Sequence, residues 1–279
     1  MFDVQAHRGG AGLAPENTMR AFENALDVGV STIECDVHIS LDGVAMVCHD
    51  RLLDPGTVEG PYAGKLIPRL TRAQLADIEC GGAPMPALTE VLELLSAREA
   101  DEVDLNVETK FDLIHPDESG PRDRFVEVLV ETLRDADLCE RASVQCFDWR
   151  VLHDIRELEP RLALNVLVNT SYLEEHQPGR SPWMDGLDID DFHGSIAQAA
   201  AAAGFDALSP SRTILTPTMV AEAHEAGLRV LPYTVDEPGE MRRWVAVGVD
   251  GLITNRPDLL REVLTSMDQP LPRRYPAHG

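Results

Sequence analysis

The chain has 279 residues, 44% of them hydrophobic, and a formal net charge of −24. That length can bury a large core, and since a single α/β barrel uses about 250 residues, one domain is the default expectation. Nucleic acid and anionic membranes are disfavoured as partners, because so acidic a protein would repel their phosphate groups. No apolar run approaches the roughly 18 residues of a membrane span, and the first strand begins almost at the N-terminus. We therefore expect a cytoplasmic protein without a membrane anchor or signal peptide, and the oligomeric state stays open.

The cationic residues and the cysteines give information on the environment in which the protein works. Only two of the 24 cationic residues are lysines, Lys65 and Lys110. An acidic, lysine-poor surface is typical of proteins that stay soluble at high salt, and a GC-rich genome that favours arginine codons is the alternative explanation. The five cysteines are odd in number, lack the CxxC spacing of zinc sites and mostly lie in apolar runs, which indicates reduced core thiols.

Apolar runs and helical patterns alternate along the chain. After a first strand at 3–6, the stretch 16–29 has the spacing of an amphipathic helix, which Asn17 or Thr18 can cap and Gly29 can end. Seven further apolar runs suit parallel strands buried on both faces, at 32–37, 103–108, 142–146, 162–168, 205–209, 228–233 and 250–254. Further helices are predicted at 89–99, 122–136, 149–158, 195–203, 217–226, 237–247 and 257–266. Eight strand-then-helix units predict an α/β protein with a closed (β/α)8 TIM barrel.

Two segments interrupt this alternation after the second strand. An Asp-Gly turn leads into a further extended run at 44–48, which predicts a β-hairpin that returns to the barrel mouth. Residues 51–86 are rich in Pro and Gly and contain one short helix at 71–78, with Thr71 and Gln74 as a capping-box pair. We expect this stretch to form a small insertion over the mouth.

The domain bounds follow from these elements. The barrel, including its insertion, is predicted to span 1–265. The remaining residues, 266–279, are rich in proline and are predicted to form a mobile tail.

Charged residues gather at the carboxyl ends of the predicted strands. His7 and Arg8 follow the first strand directly, before two glycines turn the chain. In the second strand, side chains two apart point to the same face, so Glu34 and Asp36 project together. Neighbouring carboxylates repel one another unless a cation lies between them, and carboxylate oxygens are ligands that hard divalent metals prefer. The sequence therefore predicts a metal site at this strand end.

Each of these pairs also has an ordinary structural explanation. A His-Arg pair at a strand end is more often a surface or capping pair, and acids two apart are common on half-solvated strands. A third element changes the interpretation: Glu108 ends another apolar strand, and Lys110 lies two residues further on the same face. Because chemistry in such barrels lies at the carboxyl ends of the strands, we expect all these side chains to share one site.

The motifs also follow one another in a distinctive order. HRG and PENT precede an ExD strand, a hairpin of the form LDGVAMVCHD and an ETK strand. LTRAQL, MPALTEVLEL, VQCFD, AHEAGLRVLPYTVD and GVDGLITNRPD follow. From residue 3 to about 261, this order resembles the glycerophosphodiester phosphodiesterase family. Cys146 and Tyr233 stand where a serine and a tryptophan are usual, which puts substrate preference in doubt more than activity.

The resemblance implies an enzyme of lipid and glycerol metabolism that uses one divalent ion, Mg²⁺ or Ca²⁺. It would hydrolyse a small glycerophosphodiester to sn-glycerol 3-phosphate and an alcohol, with attack by the glycerol 2-hydroxyl or by water. Which histidine is the acid and which the base stays open. The predicted roles are metal binding for Glu34, Asp36 and Glu108, phosphate binding for Arg8 and Lys110, and general acid and base catalysis for His7 and His49.

Weaker candidates and rival functions remain. Glu16 and Asn17 are expected to support the site through hydrogen bonds, with helix capping as the alternative for Asn17. His38 points either at the site or at solvent, and Asn255 either lines the pocket or only turns the chain. A lysophospholipase D or sphingomyelinase D relative would share the barrel, the metal and the paired histidines. A barrel that only binds phosphate metabolites is the second alternative.

Overall fold

The computed structural model describes residues 1–56, 58–169 and 180–277. Its strands are β1 (Asp3–Ala6), β2 (Thr32–Ile39), β3 (Ala45–Val47), β4 (Val58–Glu59), β5 (Glu79–Cys80), β6 (Ala83–Pro84), β7 (Asp104–Thr109), β8 (Ala142–Cys146), β9 (Ala163–Val168), β10 (Ala207–Pro210), β11 (Arg229–Val230) and β12 (Gly251–Thr254). Its helices are α1 (Met19–Val28), α2 (Arg72–Leu75), α3 (Leu88–Ala97), α4 (Pro116–Ser119), α5 (Arg122–Asp135), α6 (Trp149–Leu158), α7 (Ile196–Ala202), α8 (Pro217–Glu225), α9 (Pro238–Val247) and α10 (Pro257–Ser266).

Eight parallel strands form a nearly closed barrel. They pair in the order β11-β10-β9-β8-β7-β2-β1-β12. At the seam between the two ends, the Asp250 N–H donates to Val230 O at 3.0 Å and the Ile253 N–H to Pro232 O at 3.0 Å. The predicted α/β fold with a (β/α)8 TIM barrel is therefore confirmed.

The main core lies between the strands and the surrounding helices. In β2, Ile33, Cys35 and Val37 are fully buried in this layer, while the alternate residues point into the barrel. Helix α1 buries its predicted face against the same layer, including Phe22 and Leu26. None of the helices in the described part of the chain combines the length and the apolar character that crossing a membrane requires.

The hairpin and the insertion form as predicted after β2. Strand β3 pairs antiparallel with β2, with Val47 opposite Val37. The insertion holds the three-stranded sheet β4-β5-β6 and the short helix α2, whose capping box joins Thr71 and Gln74. It has its own apolar cluster, in which Ile67 is fully buried. Because this cluster is separate from the main core, the insertion can shape the barrel mouth without disturbing the barrel wall.

The C-terminal segment differs from the predicted mobile tail. Tyr275 is 4% exposed, and its main-chain N–H donates to Leu26 O at 2.9 Å. Arg98 Nη1 donates to Tyr275 O at 2.9 Å, and Arg261 Nη1 donates to Pro272 O at 2.8 Å. The proline-rich composition suggested mobility, but one buried aromatic ring and these arginine contacts fix residues 267–277 along the barrel.

Candidate active site

Three carboxylates meet inside the barrel mouth. Asp36 and Glu108 are direct partners in the parallel ladder between β2 and β7, and Glu34 lies two residues before Asp36 on the same face. One oxygen of each residue lies within 4.8 Å of the other two. Glu34 and Asp36 are fully buried. The structure thus brings together the three predicted metal ligands.

The electrostatics of this cluster favour an added cation. Burial, reinforced by Asp36 and Glu108, raises the pKa of Glu34 well above its usual range, and burial also raises the pKa of Glu108. Burial alone would raise the pKa of Asp36 too, but Lys110 and Arg8 hold it well below its usual range. Two cations against three carboxylates leave one net negative charge when all are ionised.

The donor set fits a hard divalent ion. All three candidate ligands offer carboxylate oxygens, the atoms that Mg²⁺ and Ca²⁺ take in proteins. Asp36 Oδ1 is buried, and Lys110 Nζ lies 2.9 Å from it in an ion pair. It has no other partner among the described residues, so it keeps a lone pair that a metal ion could take. The residues present therefore suit Mg²⁺ or Ca²⁺.

Arg8 and Lys110 lie directly against the carboxylates. Arg8 Nε is 3.1 Å from Asp36 Oδ2, and Lys110 Nζ contacts both Asp36 and Glu108. The turn after β1 aids this placement: Arg8 adopts a left-handed backbone conformation, and its main-chain N–H donates to Glu34 Oε2 at 2.7 Å. Both predicted phosphate-binding cations thus flank the metal cluster.

The PENT residues support the site in different ways. Asn17 Nδ2 donates to Asp36 Oδ2 at 2.7 Å, and Asn17 Oδ1 accepts from the Asp36 main-chain N–H at 3.3 Å. Helix α1 is capped by Thr18 instead, whose hydroxyl accepts from the Ala21 N–H at 3.2 Å. Glu16 is exposed and binds Arg8 Nη1 at 2.9 Å. The contacts of Asn17 therefore go to a candidate ligand and not to the helix end.

A relay of hydrogen bonds orients His7. Asp236 Oδ2 accepts from Asn255 Nδ2 at 2.8 Å, so the amide oxygen of Asn255 faces His7 Nδ1 at 2.7 Å. Because that oxygen only accepts, Nδ1 carries the ring proton of neutral His7, and Nε2 is its acceptor nitrogen. Burial and the neighbouring Arg8 lower the pKa of His7 to about 4. His7 is therefore neutral near pH 7, with a lone pair on Nε2.

Asn255→Leu is expected to lower kcat about 10²-fold with little change in KM. Without Asn255 Oδ1, the His7 ring is no longer held in its orientation, and its proton is no longer fixed on Nδ1. Steady-state kinetics on glycerophosphocholine test this. Asn24→Leu, the same change on the outer helix α1, is the control and should leave kcat unchanged. A fully active Asn255→Leu protein would show that the relay is dispensable.

His49 lies at the end of the hairpin, where it lines a cleft of about 890 Å³ together with Glu108 and Lys110. Its Nδ1 is 2.7 Å from Asp50 Oδ1. The chain neighbours of both histidines contact Asp36: Arg8 Nε lies 3.1 Å from Asp36 Oδ2, and the Cys48 main-chain N–H donates to Asp36 O at 3.1 Å. Every candidate from the sequence is therefore at this mouth.

Sequence reasoning missed two residues of the site, Gln145 and Asp236, and left a third, His38, open. Gln145 on β8 donates from Nε2 to Glu34 Oε1 at 2.9 Å, and Asp236 anchors Asn255. His38, which was left between site and solvent, is only 1% exposed and contacts the main-chain oxygen of His49. The position of Asp236 in the TVD motif was a signal for it, whereas Gln145 in its apolar strand gave none.

Comparison with known proteins agrees with this geometry. The model of the glycerophosphoryl diester phosphodiesterase family matches residues 7–259, nearly the whole chain. The chain belongs to this family. As a member, it is a phosphoric diester hydrolase, and the match spans the mouth residues described above from His7 to Asn255.

Several glycerophosphodiester phosphodiesterases are similar over most of their length. That of Caldanaerobacter subterraneus subsp. tengcongensis is 27% identical over 92% of this chain and 95% of its own. A probable glycerophosphodiester phosphodiesterase 2 from Mycobacterium tuberculosis is 30% identical over 94% of this chain and 90% of its own.

Solved structures of similar proteins share the barrel. The crystal structure of a putative glycerophosphoryl diester phosphodiesterase from Silicibacter pomeroyi DSS-3 superimposes with a TM-score of 0.84 at 29% identity, covering 97% of this chain and 95% of that one. A phosphodiesterase from Oleispira antarctica, in complex with the product sn-glycerol-3-phosphate, has a TM-score of 0.73 at 21% identity and covers 94% of this chain and 96% of that one. At that identity the second likeness shows the fold alone.

Proposed function

We propose that this phosphodiesterase hydrolyses small glycerophosphodiesters to sn-glycerol 3-phosphate and an alcohol, with a divalent ion and two histidines. The observation that carries the proposal is the buried cluster of Glu34, Asp36 and Glu108 at a mouth that also holds His7 and His49. The Oleispira antarctica phosphodiesterase, which shares the fold, is in complex with the product sn-glycerol-3-phosphate, and we propose the same product here. We also propose that the protein is cytoplasmic.

Charge complementarity draws the phosphodiester into the site. When all are ionised, the three carboxylates, Arg8 and Lys110 together carry one net negative charge. A divalent ion would therefore make the site net positive, which attracts a phosphodiester with one negative charge. A divalent ion held by the three carboxylates would supply charge that stabilises the phosphoryl oxygens in the transition state. Arg8 and Lys110 add a planar fork and a point charge beside it.

His7 is suited to be the general base. Its Nδ1 donates to Asn255, so Nε2 can take a proton from the attacking hydroxyl. The ring is neutral near pH 7 because burial lowers its pKa to about 4. The attacking group is the glycerol 2-hydroxyl, which gives a cyclic phosphate that water then opens, or water itself.

His49 is suited to be the general acid. Asp50 accepts a hydrogen bond from its Nδ1 at 2.7 Å, which leaves the opposite ring nitrogen for the substrate. The opposite ring nitrogen can then give its proton to the alkoxide that leaves when the phosphorus–oxygen bond breaks. The half-exposed position of His49 in the cleft suits a leaving alcohol that departs to solvent.

The cleft beside His49 admits more than one class of alcohol. Its wall combines apolar side chains such as Phe111 and Ile114 with the charged Arg51 and Asp112. Arg51 and Asp112 form an ion pair on this wall, and it favours a small polar head group over an acyl chain, because an acyl chain would take the pair out of water without offering it a polar contact. Cleavage of lysophospholipids remains the alternative.

The test is hydrolysis by the metal-stripped protein, supplied in turn with Mg²⁺ and Ca²⁺. Glycerophosphocholine should yield sn-glycerol 3-phosphate and choline, and a lysophosphatidylcholine should yield much less product. Turnover of the lysolipid alone would replace the proposal by the lipid-cleaving alternative. Absence of turnover with either substrate would favour a barrel that only binds phosphate metabolites.

A further inference from the structure

His38 is a buried histidine to which the proposed chemistry gives no role. It lies on β2 two residues after Asp36 and is 1% exposed. Its Nε2 is 3.1 Å from the main-chain oxygen of His49. Because a carbonyl oxygen only accepts, Nε2 carries a proton and donates this hydrogen bond.

This bond is one of two that tie the hairpin to β2 at the site. The other runs from the Cys48 main-chain N–H to Asp36 O, at 3.1 Å. Beyond the end of β3, two consecutive residues are therefore held by the strand that carries two candidate metal ligands. These two contacts, on the main chains of Cys48 and His49, limit where the His49 side chain can lie relative to the carboxylate cluster.

The His49 ring has little other support. Its side chain is 35% exposed, and its ion-pair partner, Asp50, is its own neighbour in the chain and 58% exposed. An exposed pair on a loop cannot by itself fix a ring against a buried cluster. The anchor on the His49 main chain therefore matters more here than it would within a strand.

The other nitrogen of His38 argues against a purely structural role. Nδ1 is buried and has no hydrogen-bond partner among the described residues. A buried polar atom without a partner costs stability, which an apolar side chain of similar size would avoid. The histidine at this position is thus explained by its Nε2 contact and not by packing.

We propose that His38 is a positioning residue: its Nε2–H holds the main chain of His49 so that the imidazole lies at the leaving group. This inference rests on the proposed function, in which His49 is the general acid. In this proposal His38 acts through the main chain of His49 and transfers no proton itself.

The test compares His38→Leu with His38→Gln, since the Gln side-chain amide can still reach the same carbonyl. His38→Leu should lower kcat about 10- to 100-fold, with KM and Ca²⁺ affinity within about twofold of the wild-type values. Its urea midpoint should lie close to that of the wild type, because removal of the unpaired Nδ1 offsets the loss of the bond from Nε2 to the His49 carbonyl. His38→Gln should recover most of kcat. Should His38→Leu not fold, His38→Asn, whose amide is too short to reach, replaces it and should show the same loss of kcat.

Two results would overturn the inference. One is a leucine or asparagine variant as active as the glutamine variant; the other is a loss of Ca²⁺ affinity that parallels the loss of kcat, which would place the role of His38 at Asp36. His49→Ala, measured alongside, separates this inference from the proposed function. If His49→Ala is fully active, the assignment of the acid fails; if it is inactive while His38→Leu is fully active, only the positioning role fails.

Discussion

Replacing His7 or His49 by alanine is expected to lower kcat for glycerophosphocholine by about 10²- to 10⁴-fold, because each change removes a group that transfers a proton. KM and metal affinity should change little, since neither ring is among the three carboxylate ligands. Steady-state kinetics at saturating metal measure the effect. His224→Ala is a matched control: this histidine also bonds a carboxylate, at 2.9 Å from Asp250, but lies on α8 outside the barrel. It should keep full activity.

The leaving group distinguishes the two histidines. With glycerophospho-p-nitrophenol, whose phenolate leaves without needing a proton, His49→Ala should regain most of its activity while His7→Ala should not. The reverse pattern would exchange the two roles. Equal recovery in both variants, or alanine variants that keep more than about a tenth of wild-type kcat, would contradict acid–base catalysis by this pair.

Asp36→Asn and Glu108→Gln are expected to abolish measurable Mg²⁺ and Ca²⁺ binding and to lower kcat/KM by about 10³-fold or more, the several kcal/mol that a metal ion contributes to charge stabilisation. Each change removes a carboxylate ligand without altering its size. Asp36→Asn also removes the carboxylate that pairs with Lys110 and Arg8, so the two remaining carboxylates and the two cations balance and the site loses the net negative charge that attracts a divalent ion. Isothermal titration calorimetry of the stripped proteins measures the binding.

Asp104→Asn serves as the control for these ligand variants. Asp104 begins β7, the strand whose other end carries Glu108, and it is exposed. Its amide variant should bind metal and turn over substrate like the wild type. Metal affinity that survives in both Asp36→Asn and Glu108→Gln would mean that the ion is held elsewhere.

The barrel and the centre of the site could be predicted from the sequence because both depend on local patterns. Apolar runs predicted the eight strands, and the alternation in TIECDV indicated that Glu34 and Asp36 share one face of the second strand. Parallel strands bring their carboxyl ends together, so Glu108 and Lys110 could be expected beside them. The Asp-Gly turn located the hairpin that carries His49.

The supporting contacts could not be predicted, because they join residues far apart in the chain. The bond from His7 to Asn255 spans 248 positions, and that from Gln145 to Glu34 spans 111. Such pairs depend on strand register, which a single sequence does not give. The packed C-terminal segment was missed for a related reason: its proline content indicates mobility, and only the fold shows that Tyr275 is buried.

Glu34, Asp36 and Glu108 are proposed to form one metal-dependent phosphodiesterase site. Its most direct test is a titration of Ca²⁺ or Mg²⁺ into the stripped protein, with metal binding and release of glycerol 3-phosphate from glycerophosphocholine followed in the same samples. We expect activity to rise in proportion to metal occupancy and to reach its maximum at one ion per chain. Full activity of the stripped protein in excess chelator would contradict it.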